Sequence, residues 1–170
     1  AASVVLLALS GRSRATTLLD VCAVFAPLIA IVPTGLADSR AVGHLACPVI
    51  TDCIPSGSIG TAKAGIAVYS IVVVAVVVTM AVIRHRTRTP NASARLVSII
   101  ALVTAAAMTA LAFAPALNEN FPFNLWPVAS IHFAVTLVFF GVFAAVPILY
   151  AGGPLEPGET PPTPRQRSIY

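Results

Sequence analysis

AKAGIAVYSIVVVAVVVTMAVI, residues 62–83, runs directly into RHRTR, residues 84–88, and this junction decides the fold. An apolar stretch of that length, rising 1.5 Å per residue, covers a hydrocarbon core of about 30 Å. Arginines gathered at its end mark the membrane face where the span stops. Working outward, comparable stretches lie at 16–36, 96–116 and 125–150. The pattern predicts an all-α integral membrane protein, a bundle of four transmembrane helices forming one domain over residues 16–150.

Composition agrees: 58% of the residues are hydrophobic and 9% charged, too few polar groups to cover a soluble core. The net charge of +4 does not make a nucleic-acid footprint, because the cations mark span ends and do not form one basic face. Lys63 is the sole lysine, and the spans are built largely of Ala and Val, a usage expected of a GC-rich bacterial genome.

Arginine placement predicts the orientation. Arg12 and Arg14 precede the first span, Arg84, Arg86, Arg88 and Arg95 fill the second connection, and Arg165 and Arg167 lie in the tail. The other two connections carry Arg40 and Lys63 beside Asp38, Asp52 and Glu119. By the positive-inside rule the protein is a multi-pass protein of the bacterial plasma membrane with both ends of the four-span unit cytoplasmic.

Residues 1–15 form an apolar segment followed by a basic turn. At about 15 Å the apolar part is half a span, so it is read either as an interfacial segment or as the end of a truncated fifth span. Residues 151–170 are rich in proline and glycine and predict an extended cytoplasmic tail.

Within the spans, small residues set which helix faces can approach one another or a partner. Ala101, Ala105 and Thr109 form one stripe, Ala106, Ala110 and Ala114 another, and Gly141 and Ala145 repeat the spacing in the fourth span. Pro27, Pro33 and Pro147 predict kinks. They read as structural features and not as the broken helices of a transporter, which come in paired repeats with polar residues at the midplane.

Two ionisable residues stand out as intramembrane polar candidates. Asp20 lies about a turn inside the first span, where an interfacial role is expected, and His132 opens the fourth span, where it is expected to donate near the interface beside Trp126. His44, His85 and His132 are spread along the chain, so neither a haem pair nor a zinc site is expected. No catalytic, cofactor-binding or metal-ligating set is expected.

Cys47 and Cys53, in CPVITDC, predict a disulfide in the first outer connection, whereas Cys22 falls inside the first span. The CxxC redox pair of the four-span vitamin K epoxide reductases is absent: five residues separate these cysteines and no second pair could relay electrons. The other outer connection, NENFPFNLWP at 118–127, places Asn124 as a helix cap and Pro127 in the first turn. Its Phe121, Phe123 and Trp126 suit an aromatic belt or a ridge for a docking partner.

These residues predict a non-catalytic accessory subunit that stabilises a larger bacterial cell-envelope membrane complex, with lipid transport as the preferred setting. Its partners would be membrane lipids and integral membrane proteins, not nucleic acid, with no cofactor. The candidate interface residues are Phe121, Phe123, Trp126, Ala106, Ala110, Gly141 and Ala145. The alternative is a small stand-alone transporter or lipid-binding carrier, its cavity lined by Asp20, Thr79, Thr104, Thr109 and Thr136. An accessory subunit of a respiratory complex is a second alternative.

Overall fold

Proline placement sets where two of these helices stop. The computed structural model describes residues 14–34, 45–49, 52–55, 57–88, 92–118, 121–122 and 130–152, without the side chains of 14–15, 45–55 and 150–152. Helix α1 (Arg14–Ile31) contains Pro27 and ends just short of Pro33. The residue before a proline is driven out of the helical region, and Pro33 has no N–H to continue the ladder. The first apolar helix is therefore shorter than the expected 16–36.

A two-stranded antiparallel hairpin follows, β1 (Leu45–Val49) and β2 (Asp52–Pro55). Leu45 pairs with Pro55 and Ala46 with Ile54, then the register shifts before Val49 meets Asp52. An all-α reading of the sequence did not include this element.

Helix α2 (Ser58–Thr87) is continuous over 30 residues and extends a turn past each end of the apolar run. Thr61 tightens its first turn, donating through both N (3.2 Å) and Oγ1 (3.1 Å) to the Gly57 carbonyl. Arg84, His85 and Arg86 fill its last turn, where cations suit the negative end of the helix dipole. Arg88 closes it at φ 50°, a left-handed position that usually favours glycine.

Helix α3 (Ala92–Phe113) stops ahead of Pro115, three residues before the expected boundary at 116. The Ala114 carbonyl then accepts from Leu117 N and Asn118 N, both at 2.9 Å, and the chain turns. Helix α4 (Ile131–Gly152) carries Pro147 inside it. Its described start lies six positions after the expected 125 and is capped by Ser130, while Asn124 lies outside the described residues. The Ser130 carbonyl accepts from Ala134 N at 3.0 Å and its Oγ from Phe133 N at 3.4 Å.

Among the described residues α2, α3 and α4 are long and apolar enough to cross a membrane, and α1 is a shorter apolar helix. Consecutive helices run in opposite directions. The short α1 sits between the others: α4 packs mainly on α1, α2 packs mainly on α3, and α1 touches all three. One end of this array carries the hairpin, and the other carries the α2–α3 connection with its arginines.

The buried core gathers at the hairpin end. It joins Leu28 of α1 and Val32 just past its end, Ile66 and Tyr69 of α2, Met108 and Ala112 of α3, Phe121, and Ile131 and Val135 of α4. Toward the arginine end the side chains turn outward. Val74, Val76, Val78, Met80, Val82 and Ile83 of α2 are all exposed, as Phe140 and Ile148 are on α4. Large apolar surfaces on long helices are the surfaces that lipid covers.

Candidate functional site

The polar groups among the helices occupy the seams between them. On α2, Tyr69 and Ser70 form the one polar pair in the middle of the apolar run. Tyr69, buried, donates its hydroxyl to the Val24 carbonyl of α1 at 3.0 Å. That carbonyl lies beside the gap that Pro27 opens, since a proline ring removes one backbone donor and crowds the turn before it. Ser70 reaches the other way, sharing a 2.8 Å hydrogen bond with Thr109 of α3 and lying 3.5 Å from the Ala105 carbonyl.

On the opposite flank of α1, the buried thiol of Cys22 points to the Phe139 carbonyl of α4 at 3.7 Å. His132 Nδ1 meets the Val32 carbonyl at 2.6 Å. Because α1 ends at Ile31, that carbonyl has no further turn of helix to accept from, and the imidazole closes the end. Interhelical hydrogen bonds of this kind contribute about 0.6 kcal/mol each in membrane bundles. Their larger effect here is register, because each ties one level of α1 to one level of a neighbour.

Close approach supports the same seams. A Cβ added at Gly65 would fall 2.7 Å from Ile31 Cγ2, so α2 comes this near to α1 only because the position is glycine. In α3 the stripe that packs inward is Ala101, Ala105, Met108 and Ala112. Thr109 completes it through Ser70.

The candidate interface residues divide. Ala106 is exposed and Ala110 half-buried on α3; Gly141 is exposed and Ala145 half-buried on α4. A Cβ at Gly141 would meet nothing within 4 Å. Phe121 is instead buried, a member of the core that also holds Leu28 and Ile131. Phe123, Trp126, the segment 1–13 and the tail from 153 lie outside the described residues. So do the side chains of Cys47 and Cys53, although their backbones lie on β1 and β2. Among the described cysteines, Cys22 is a free thiol.

The polar residues proposed for a carrier cavity differ in their surroundings. Thr79 is exposed and donates to its own Ala75 carbonyl at 2.8 Å, while Thr109 is engaged by Ser70. Thr136 Oγ1 is buried on α4 with no hydrogen-bond partner among the described residues. Asp20 lies half-buried in the first half of α1, whereas His132 contacts the far end of that helix. About twelve residues of α1, roughly 18 Å at helical rise, separate the two levels. Among the described residues no three His, Cys, Asp or Glu side chains gather as metal ligands do.

Sequence reading missed Gly65, Tyr69 and Ser70. The signal for the last two was present, two adjacent hydroxyls in an otherwise apolar span; nothing marked Gly65 apart from other small residues. No family model matches this chain, and no curated protein or solved structure matches it.

Proposed function

We propose that this protein is a non-catalytic accessory subunit that docks within the membrane onto a larger bacterial envelope complex, with lipid transport as the host process. One observation carries the reading. Cys22, Tyr69, Ser70, Thr109 and His132 in the seams are engaged by the protein's own backbone and hydroxyls, while small positions remain on outward faces, Ala106 of α3 and Gly141 of α4. A helix from a partner could come close at those positions, since lipid gives helices no hydrophobic reason to associate and small residues allow backbone approach.

Orientation belongs to this reading, with the arginine end cytoplasmic and the hairpin end outside. On the outer side the hairpin would be closed by a Cys47–Cys53 disulfide. The pairing of Ala46 with Ile54 supports it, because Cys47 and Cys53 are the next residues toward the turn on their strands, at the place where the register shifts. Peptide mapping without reductant should then recover these two joined.

Affinity purification in mild detergent followed by native mass spectrometry tests the main claim. A membrane protein recovered at fixed stoichiometry is the expected result. A lone oligomer carrying a polar small molecule in stoichiometric amount would replace the subunit with the carrier. Labelling of introduced cysteines should reach 84–95 from the cytoplasm only, and labelling of that connection and of 45–55 from the same side would reverse the topology.

A further inference from the structure

Between Asp52 and Glu119 the chain contains no Asp or Glu, yet Arg84, His85, Arg86, Arg88 and Arg95 crowd the connection at the middle of that interval. Their counter-charge does not come from α2 or α3. The field adds to the excess. Arg95 stands in the first turn of α3, which carries no acidic residue, where the positive end of the helix dipole opposes a cation.

Arg84 is fixed in place at the centre of this group. Half-buried between the two helices, it donates through Nε to the Met80 carbonyl at 3.1 Å and through Nη2 to Ser98 Oγ at 3.3 Å. Ser98 is itself anchored, donating to the Ala94 carbonyl at 2.7 Å. A guanidinium carries five N–H donors in a rigid fork, so the remaining ones are free for an acceptor that neither helix supplies. Arg86 and Arg88 are exposed beside it.

The surface adjoining these arginines is apolar. Val82 and Ile83 on α2 and Leu96, Ile99 and Val103 on α3 are exposed along the helices leading away from the connection. Charge at the end of a span, continuous with an apolar wall, matches a molecule with an anionic head and acyl tails. A free anion would use the first feature and leave the second unexplained.

We propose that the α2–α3 connection binds the phosphate headgroup of an anionic phospholipid, with Arg84 as its fixed donor and Arg86, Arg88 and Arg95 as its surrounding charge, the acyl chains lying on Ile99 and Val103. This site does not depend on the protein being a subunit. The full-length protein in detergent, titrated with phosphatidylglycerol and with phosphatidylcholine of the same chains and followed by native mass spectrometry, measures it. Phosphatidylglycerol should bind about tenfold more tightly, the equivalent of one charge-assisted contact. Arg84→Gln should bring the two lipids level. Should that variant not fold, Arg86→Gln with Arg88→Gln, both at exposed positions, should reduce the preference in the same direction. Equal affinity for the two lipids, a preference unchanged in the variants, or complete displacement of the lipid by millimolar inorganic phosphate would each overturn the assignment.

Discussion

At the hairpin end, Leu28, Val32, Ile66, Met108, Ala112 and Ile131 close around one another, and hydroxyl, imidazole and glycine contacts hold α1 in register. At the arginine end α2 and α4 bury little, although Thr16, Cys22 and Ala23 of α1 stay covered: α2 shows Val74, Val76, Val78 and Val82 outward, and an anchored contact there joins Arg84 to Ser98. The difference teaches how a small membrane bundle can be both specific and adaptable. One end defines the arrangement of the helices, and the other leaves apolar and cationic surface for the surroundings. In water such exposure would be a fault, but in lipid it carries little penalty, since tails are as apolar as valine.

The comparison predicts a gradient of mutational sensitivity. Ile66→Ala opens a cavity in the packed end, and stability measured by thermal unfolding in detergent should fall by about 2 kcal/mol. Val76→Ala, on the outward face of the same helix, should leave it within about 0.5 kcal/mol. Equal losses at the two positions would erase the distinction between the ends.

Gly65→Ala comes next, because its new methyl must displace the β-branched Ile31. A loss of about 1 kcal/mol is expected. Gly141→Ala meets open space and should be neutral by the same measurement.

Tyr69→Phe removes the hydroxyl that reaches Val24 and should cost about 0.6 kcal/mol. Combined with Pro27→Ala it should show coupling, because the proline and the hydroxyl act on the same turn of α1. Strict additivity would mean that Tyr69 acts by packing alone.

Least of all should Ala106→Leu disturb the fold, since the position is exposed. Its effect should appear in recovery of the partner during purification. A normal yield of partner from this variant would move the interface elsewhere.

How far the sequence discloses this arrangement varies with the physics of each element. The cores of α2 and α3 are legible because length and hydropathy alone define a span. Their boundaries are less so, and prolines explain why: Pro115 and Pro33 each end a helix that apolar composition would have carried further. The inward face of α2 is not legible at all. Its Ile71–Val78 run is apolar around the whole circumference, so no periodicity distinguishes lipid from neighbour. In α3 the small residues do mark a face, and Ala101 and Ala105 turn inward as that stripe requires. The hairpin was hidden because ACPV and DCIP hold few β-formers and two prolines, and only pairing across the turn makes strands of them.

The position of α1 bears on biosynthesis. It is the first of the described helices to leave the ribosome, and the helix that packs most closely on one of its flanks, α4, is the last. Until α4 is made, that flank of α1, with the Cys22 thiol and the bare Val32 carbonyl, stays uncovered. Completion of this bundle is therefore a late, post-insertion event, and a nascent chain halted after α3 would hold its shortest helix half-sheathed, available to membrane chaperones and to intramembrane quality control.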